Sequence, residues 1–262
     1  MILATWNVNS IRSRLERLLA WLERNRPDAL CLQELKCTDE AFPYDELARA
    51  GYHAAVSGQK TYNGVAILSR VEPREIRRAL DDDARDTQAR FVSARVGEAA
   101  ILCAYVPNGQ AVGSEAYGYK LAWLARLRKH LERHYRPGEP LALCGDTNVA
   151  RDDLDVDRPE EWADSVICHA DARAGLTGLL DWGLADLFRL KHPEGKIYSF
   201  WDYRNLDFPR NNGLRIDHIL ATSPLAARCL KAAIDRDERK GDKGEERGKP
   251  SDHAPVMAVF RD

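Results

Sequence analysis

Short apolar runs recur along the chain, and each of them ends in polar residues. Runs rich in Ile, Val, Leu and Ala are typical of strands that are buried on both faces of a sheet. Segments of this kind lie at residues 2–6, 29–32, 65–68, 90–96, 100–106, 141–144, 218–221 and 256–260. The pattern therefore predicts a core built from many short β-strands.

Two longer segments between these runs have the period of an amphipathic helix. Residues 10–24 place Ile11 and four leucines on one stripe, and the charged Arg17 falls outside that stripe. Residues 116–134 repeat the pattern, with an apolar side formed by Tyr117, Leu121, Leu124, Leu127 and Leu131. Strands alternating with amphipathic helices favour an α/β fold in which helices cover layered sheets.

Length and composition are those of an ordinary folded protein. The chain has 262 residues, of which 44% are hydrophobic and 31% charged, and this excludes a mostly disordered, collagenous or fibrous chain. No repeat or linker divides the sequence, so we expect one domain over residues 1–262. The polar stretch at 235–249 is interpreted as a loop, either a solvated insertion or a lip over a substrate groove.

The overall charge of the chain does not indicate a polyanionic partner. There are 39 Lys and Arg residues against 41 Asp and Glu, for a net charge of −2. A nucleic acid or an anionic membrane would therefore have to be held by a local basic patch. Candidates for such a patch are Lys36, Lys60, Arg204 and Arg210.

Cysteine usage and the absence of apolar spans bear on location. The six cysteines include no CxxC pair and no tight cluster with histidine, so we expect buried reduced thiols rather than a zinc site. The amino terminus lacks a secretory signal pattern, and no apolar stretch in the sequence is long enough to cross a membrane. The expectation is a cytoplasmic protein without a membrane partner.

Side chains suited to acid/base chemistry or metal binding stand just past several apolar runs. Glu34 lies on the rim of a buried strand, where a carboxylate must be solvated, paired or bound to a metal. Asn7 follows the first strand, although an Asx turn or a helix cap is the commoner use of such a residue. Asp146 and Asn148 in GDTN would point to the same side if their strand continued. This pair would hold a water and a phosphoryl oxygen, and a plain turn is the alternative.

A histidine precedes the last strand. SDHAPV sets Asp252 beside His253, and a histidine oriented by a carboxylate is a recurrent acid/base device. Adjacent residues rarely make that contact, so the candidate partner is Asp217 in LRIDHIL. We interpret the neighbouring His218 as an ordinary core or surface histidine.

Two further segments combine aromatic and polar groups. Tyr105 and Asn108 in AYVPNG offer a phenol and an amide for phosphate contact, and simple packing of the tyrosine is the alternative. YSFWDYRN at 198–205 gathers four aromatic residues beside Arg204. Such a cluster stacks on bases or lines a pocket for an extruded sugar, unless it is only a corner of the core.

Taken in order, these motifs resemble the exonuclease III family of abasic-site DNA endonucleases. The segments are TWNVNS, LQELKC, YNGVAILSR, YVPNG, CGDTNV, YSFWDYR, GLRIDHIL and KPSDHAPV, and they extend over about residues 2–260. SDHAP and GDxN occur across the wider endonuclease/exonuclease/phosphatase superfamily, whereas LQELKC and the block from WDYR to GLRIDHIL single out the abasic-endonuclease branch. The resemblance implies a DNase I-like α/β (α+β) fold, a four-layered sandwich of two packed mixed β-sheets flanked by helices.

The resemblance also implies a catalytic Mg²⁺, for which Mn²⁺ is expected to substitute. Glu34 resembles the main ligand of that ion. The other implied ligands are Asn7, Asp146, Asn148 and Asp252. A site rich in carboxylate and amide oxygens suits Mg²⁺ and agrees with the lack of a Cys/His pattern.

Catalytic and substrate-binding roles follow from the same resemblance. Asp146 resembles the group that orients or deprotonates the attacking water, and Asn148 resembles its phosphate-holding neighbour. His253, oriented by Asp217, resembles a donor that stabilises the pentacovalent transition state, and Tyr105 resembles a phosphate contact. The implied substrate-binding residues are Asn108, Lys36, Phe200, Trp201, Arg204, Leu214 and Ile216.

The resemblance implies a Mg²⁺-dependent DNA repair phosphodiesterase, which we expect to be a monomer. It would cleave duplex DNA 5′ to abasic sites and trim 3′ ends by 3′ to 5′ exonuclease activity, including ends that carry blocking groups. Phe200 and Leu214 stand where some members have larger aromatic residues, which leaves the balance between these activities open. The alternatives are another phosphoesterase of the superfamily, acting on inositol phosphates, sphingomyelin or RNA, and a non-catalytic nucleic-acid-binding regulator.

Overall fold

Short strands and helices make up the computed structural model, which describes residues 1–82, 86–204, 206–241 and 248–261. The strands are β1 Ile2–Asn7, β2 Ala29–Gln33, β3 His53–Ser57, β4 Val65–Ser69, β5 Arg74–Arg77, β6 Phe91–Val96, β7 Ala99–Tyr105, β8 Leu141–Asp146, β9 Leu184–Asp186, β10 Asp217–Thr222, β11 Cys229–Ile234 and β12 Val256–Phe260. The α-helices are α1 Ile11–Asn25, α2 Tyr44–Arg49, α3 Glu115–His134, α4 Pro159–Trp162, α5 Ala170–Asp181, α6 Leu187–Lys191, α7 Asp207–Arg210 and α8 Ser223–Ala226. Two 3-10 helices lie at Asp153–Asp155 and Arg236–Arg239.

The strands form two mixed sheets of six strands each. The first sheet has the order β11-β12-β1-β2-β4-β3, and the second has the order β5-β6-β7-β8-β10-β9. Each sheet contains one parallel pair, β1 with β2 and β7 with β8, and the other neighbours are antiparallel. The carboxyl ends of each parallel pair therefore meet at one edge of its sheet.

Apolar side chains on both faces of the central strands explain the layers. In β7, Ile101 points into the cluster between the two sheets, and the next residue, Leu102, points into the cluster that lies under α3 and α5. Leu30 of β2 likewise packs on the outer face of the first sheet, against Trp21 of α1. The structure is therefore a sandwich of two mixed sheets flanked by helices, which confirms the predicted DNase I-like α/β fold.

Helix α1 matches the predicted segment but corrects one of its positions. Arg17, expected outside the apolar stripe, is only 1% exposed, because its guanidinium bonds Glu238 Oε2 at 3.1 Å. Arg24 donates to the other oxygen of Glu238 at 2.6 Å. Glu238 and Arg239 are buried, so the expectation of a solvated stretch at 235–249 is wrong for these two residues. Residues 242–247 of that stretch lie outside the described residues.

Two smaller expectations concern thiols and membrane spans. All six cysteines are buried and free, as the sequence predicts. None of the helices in the described ranges combines the length and the apolar character that crossing a membrane demands.

Candidate active site

Polar residues from several strands meet at one edge of the packed sheets. Asn7 ends β1, and Glu34 directly follows β2, its parallel neighbour. In the second sheet Tyr105 ends β7 and Asp146 ends β8, while Asp217 begins β10 directly opposite Asp146. Parallel strands end at the same edge of a sheet, and an antiparallel strand begins where its neighbour ends. The topology therefore gathers residues that are far apart in sequence.

Glu34 is the most strongly hydrogen-bonded carboxylate of this edge. Its Oε1 accepts from Asn7 Nδ2 at 2.8 Å and from the Tyr105 hydroxyl at 2.9 Å, and its Oε2 pairs with Lys36 Nζ at 2.9 Å. Burial opposes ionisation, but the hydrogen bonds from Asn7 and Lys36 outweigh it and lower the pKa of Glu34. Glu34 is thus an anion that already holds one cationic group.

Asp146 is buried at the end of β8, after a glycine that allows two backbones to approach closely. Gly145 has φ 147°, and a Cβ at this position would lie 1.9 Å from the Ala104 carbonyl oxygen. Asp146 Oδ2 accepts from Asn7 Nδ2 at 2.9 Å and lies 3.8 Å from His253 Nε2. Burial raises the pKa of Asp146 to about 7, although the charge of His253 opposes the rise. A carboxyl group with this pKa is suited to accept a proton near neutral pH.

The predicted contact between His253 and Asp217 is present. His253 Nδ1 lies 2.9 Å from Asp217 Oδ2, and the same oxygen accepts from Ser199 Oγ at 2.6 Å. Burial disfavours the imidazolium, but Asp217 and then Asp146 outweigh it and raise the pKa of His253 to about 10. His253 is therefore a cation at neutral pH whose Nε2 faces Asp146.

Asn148 reaches the site in a way that the strand pattern did not predict. β8 stops at Asp146, and Asn148 has a left-handed backbone with φ 48° because its N–H is bonded to Asp146 Oδ1 at 2.9 Å. Its side-chain Nδ2 donates to the Val106 carbonyl at 3.0 Å, and its Oδ1 accepts from Asn108 Nδ2 at 3.1 Å. The two predicted amides therefore form a pair beside Asp146.

Lys120 of α3 is a site residue that the motifs missed. It is buried, and its Nζ donates to the backbone carbonyls of Asn108 at 3.1 Å, Asn148 at 2.7 Å and Val166 at 2.6 Å. Burial lowers the pKa of Lys120 to about 8, and Asp146 opposes that change. A lysine within the apolar stripe of a predicted helix is the signal that could have found it. Its function is to fix the loops that carry the two asparagines.

Asp252 is connected to Glu34 only through other side chains. Its Oδ1 accepts from Asn9 Nδ2 at 2.9 Å, and Asn9 Oδ1 in turn accepts from Lys36 Nζ at 2.6 Å. Asn9 and Lys36 thus connect Asp252 to Glu34. The motifs did not single out Asn9, although it stands in the same segment as Asn7.

The predicted pocket residues differ in how far they reach the surface of the site. The Phe200 ring is half-buried, and its centroid lies 4.8 Å from that of His253. Leu214 pairs with Phe200 in an isolated bridge and is buried together with Ile216 in the core of the second sheet. Trp201 is fully buried in a small apolar cluster of its own. In this structure the Phe200 ring lies beside His253, whereas the Trp201 side chain has no exposed surface.

The predicted basic residues differ in their contacts with the site. Lys36 belongs to the site through Glu34. Arg204 is 84% exposed, and its guanidinium pairs with Asp202 at 2.6 Å rather than with any residue of the site. Lys60 and Arg210 are exposed as well.

Three ionisable groups define what this edge is able to do. Glu34, Asp146 and His253 each offer one ligand atom, and these atoms lie within 4.8 Å of one another. An ionised carboxylate, a carboxyl group that titrates near neutrality and an imidazolium are suited to bind a metal ion, accept a proton and stabilise a phosphate, which are the tasks of phosphoester hydrolysis. Fold and site together define a phosphoester hydrolase. The chain belongs to the endonuclease/exonuclease/phosphatase family, whose model matches residues 4–253.

Similar proteins narrow the class within that family. An exodeoxyribonuclease III of Haemophilus influenzae is 37% identical over 269 residues, which cover 98% of each chain. The structure of an AP endonuclease from Archaeoglobus fulgidus has a TM-score of 0.94 and 41% identity, and the match covers 99% of both chains. The structure of a 3′ phosphatase, NExo from Neisseria, bound to a product DNA hairpin has a TM-score of 0.93 and 40% identity, covering 100% of this chain and 99% of that chain. The predicted exonuclease III resemblance is confirmed, and the chain is a nuclease hydrolase.

Proposed function

We propose that this nuclease acts in DNA repair. It cleaves duplex DNA 5′ to abasic sites, degrades 3′ ends in the 3′ to 5′ direction and removes 3′ blocking groups. The observation that carries the proposal is the convergence of Glu34, Asp146 and His253 within 4.8 Å at one sheet edge. Similarity to an exodeoxyribonuclease III, an AP endonuclease and a 3′ phosphatase bound to DNA supports duplex DNA as the partner.

The reactive groups have complementary tasks in phosphodiester hydrolysis. Asp146, with a pKa of about 7, accepts a proton from the attacking water. His253 is held as a cation by Asp217 and donates from Nε2 to a phosphate oxygen, where negative charge grows in the transition state. Tyr105 adds a neutral donor, its hydroxyl, which bonds Glu34 Oε1 at 2.9 Å. Asn148, whose backbone N–H bonds Asp146 Oδ1, is the proposed phosphate-holding neighbour of Asp146.

The donor set of the site fits Mg²⁺, with Mn²⁺ as a substitute. Glu34 is the proposed main ligand, because it is ionised and its Oε2 already attracts the ammonium of Lys36 at 2.9 Å. The remaining proposed ligands are Asp146, Asn7, Asn148 and Asp252. Asn7 now turns its NH₂ group toward both carboxylates, so ligation through its oxygen requires a rotation of the amide. When bound, the ion supplies charge neutralisation at the phosphate and at the leaving oxygen.

Substrate recognition is proposed for residues around this centre. Phe200, with Leu214 and Ile216 behind it, shapes the pocket for a base-free deoxyribose. Trp201 supports that corner from a buried position. The residues proposed to hold the DNA backbone are Asn108, Lys36 and Arg204. We further propose that the protein acts as a monomer in the cytoplasm.

The proposal is tested with an end-labelled duplex that carries one abasic site. We expect a single cut 5′ to that site with Mg²⁺ or Mn²⁺ and no cut with EDTA. Asp146→Asn keeps the shape of the side chain but removes its basicity, so the rate should fall by about 10²–10⁴-fold. The matched control is Asp171→Asn, since this carboxylate on α5 is 63% exposed and should leave the rate unchanged.

The possible outcomes test the proposed substrate and the proposed metal requirement separately. A duplex that stays uncut with either ion, or hydrolysis of a small phosphoester at a lower enzyme concentration than abasic DNA, would contradict the proposed substrate. Cutting that persists in EDTA would contradict the metal requirement alone. Equal rates for Asp146→Asn and the wild type would contradict the role of Asp146.

A further inference from the structure

A second group of ligand-type side chains lies outside the active site, at the C-terminal end of α3. Asp81, His130 and His134 each offer one ligand atom, and these atoms lie within 4.8 Å of one another. The two histidines are four residues apart in one helix, so their side chains project from the same face. Asp81 belongs to the segment that follows β5. A cluster built without cysteine leaves no CxxC signal in the sequence.

His130 has the geometry of a metal-binding histidine. Its ring is 1% exposed, and its Nδ1 lies 2.6 Å from the Leu80 carbonyl oxygen. A carbonyl only accepts, so Nδ1 carries the proton and Nε2 keeps a lone pair. That buried Nε2 has no hydrogen-bond partner among the described residues. Histidines that ligate metals almost always donate their other ring N–H to a carbonyl or a carboxylate in this way.

His134 completes the arrangement with Asp81. Its buried Nε2 also lacks a hydrogen-bond partner in the described ranges, and it lies 3.9 Å from Asp81 Oδ2. The rings of His130 and His134 have centroids 4.6 Å apart. Nitrogen and oxygen ligands of Zn²⁺ stand about 2 Å from the ion, so a closing movement of about 1 Å brings the three atoms to bonding distance. The Asp81 side chain is 40% exposed, so it has room for this movement once its carboxylate leaves Arg77.

We propose that Asp81, His130 and His134 bind one divalent transition metal of the Zn²⁺ class, separately from the catalytic ion. Two imidazole nitrogens and one carboxylate oxygen favour Zn²⁺, Co²⁺ or Ni²⁺ over the hard cation Mg²⁺. Burial holds both imidazoles neutral, because it lowers the pKa of His130 to about 4 and also lowers that of His134. The bound ion joins α3 to the segment after β5 and so stabilises the folded chain.

Two arginines bond Asp81, and the positive charge of Arg77 competes with a metal ion for the carboxylate. Arg77 donates to Asp81 Oδ2 at 3.1 Å, and Arg133 bonds the backbone carbonyl of the same residue. A metal ion must displace the Arg77 guanidinium from the carboxylate. Removing that guanidinium should therefore strengthen metal binding, whereas removing a ligand should weaken it.

The test is a calorimetric titration of the full chain with Zn²⁺ as the probe. Zn²⁺ will also enter the active-site carboxylates, so the titration is repeated in a Glu34→Gln background. We expect that background to retain one Zn²⁺ site. His134→Gln should weaken this site by at least about tenfold, the loss that even changes around the ligands produce. Arg77→Gln should tighten it.

Two further readouts keep the test independent of folding and of nuclease activity. Circular dichroism in EDTA should show that His134→Gln and Arg77→Gln fold as the wild type does. Zn²⁺ should raise the melting temperature of the Glu34→Gln chain and leave that of Glu34→Gln/His134→Gln unchanged. An affinity that His134→Gln does not alter would overturn the site, and an unchanged or weaker affinity in Arg77→Gln would overturn the role of Asp81. The outcome does not depend on the proposed DNA repair function.

Discussion

Asp217 is buried, and its Oδ2 accepts hydrogen bonds from His253 Nδ1 at 2.9 Å and from Ser199 Oγ at 2.6 Å. Its charge is the main reason that the pKa of His253 is raised to about 10 against the effect of burial. Asp217→Asn removes that charge, so this pKa should fall. Activity that needs the imidazolium extends toward pH 10 in the wild type and should be lost at a lower pH in the variant. At pH 8 we expect kcat to fall by about 10²–10⁴-fold, and a pH–rate profile on abasic duplex measures both effects.

Ser199→Ala is the matched control for this prediction. It removes one hydrogen bond from the same oxygen but leaves the carboxylate charge in place. We expect less than about a tenfold loss in kcat, because one neutral hydrogen bond contributes only about 0.5–1.5 kcal/mol. If the two variants have the same pH–rate profile, the charge of Asp217 is not what holds His253 in its active form.

Gly145 brings Asp146 to the site by allowing β8 to approach β7. With φ 147°, an added Cβ would lie 1.9 Å from a carbonyl oxygen of Ala104, and neither backbone is able to yield without separating the strands. Gly145→Ala should lower the free energy of unfolding by about 1–3 kcal/mol or more and displace Asp146. Urea unfolding measures this change, with nuclease activity as a second readout.

Gly118→Ala provides the opposite expectation within the same protein. This glycine lies in α3 with nothing within 4 Å of the position of a Cβ, and alanine is the better helix former. The free energy of unfolding should therefore rise by about 0.5–1 kcal/mol. If both substitutions changed the free energy of unfolding equally, the close approach of β8 to β7 would not be the reason for a glycine at position 145.

The residues themselves were easier to predict from sequence than their orientations. Glu34, Asp146 and His253 were found because each stands in a motif at the end or the beginning of an apolar run. The sequence left a turn at Asn148 as the alternative to a continued strand, because its left-handed backbone accompanies a hydrogen bond to the Asp146 side chain that no strand pattern contains. Lys120 was missed for a related reason, since its partners are backbone carbonyls of distant loops.

At the scale of elements, the strands that the apolar runs predicted are the inner ones. The strands without such a run are β3, β5, β9 and β11. These four are the edge strands of the two sheets. An edge strand pairs on one side only and packs less of its surface, so its sequence need not be continuously apolar, as the exposed REIR of β5 illustrates. Periodicity therefore detects the centre of a sheet better than its borders.

A buried ion-pair network joins elements that flank β10. Arg215 donates to both oxygens of Asp155, at 2.6 and 2.9 Å, and to both oxygens of Asp186, at 3.2 and 2.7 Å. All three side chains are buried. Arg215→Met leaves two buried carboxylates without their main partner, so we expect the free energy of unfolding to fall by about 3–5 kcal/mol at neutral pH. Urea unfolding of both proteins measures the difference.

The pH dependence of that loss has a definite sign. Burial opposes ionisation of Asp186, but Arg215 outweighs it and lowers its pKa to about 2, below that of an unfolded aspartate. The wild-type contribution is therefore complete above about pH 4 and declines as the pH falls toward 2. The difference in stability between wild type and variant should narrow as the pH falls, because protonation of Asp186 removes the charge that Arg215 pairs with. Arg204→Met is the control, since the exposed pair of Arg204 with Asp202 should make no measurable difference to stability at any pH.

At the scale of the whole molecule, the two ends of the chain meet inside the first sheet. β1 pairs with β12, and the backbone N–H of Phe260 donates to the Met1 carbonyl at 2.8 Å. Apolar residues of both sheets fill one inner layer, in which Leu3 of β1 lies in the same cluster as Ile219 of β10. Val256, Ala258 and Phe260 of β12 belong to the same cluster, so the last strand completes this layer. This is the physical basis for proposing one domain over residues 1–262.

The proposed single domain predicts one cooperative unfolding transition. Urea curves followed by far-UV circular dichroism and by tryptophan fluorescence should coincide, because Trp6 and Trp21 lie over the first sheet and Trp123 and Trp182 over the second. A chain truncated after residue 254 lacks β12 and opens the inner layer, so it should lose near-UV circular dichroism entirely rather than in proportion to one strand. Two separated transitions, or a truncated chain that keeps a native near-UV spectrum, would show that the sheets fold as independent units.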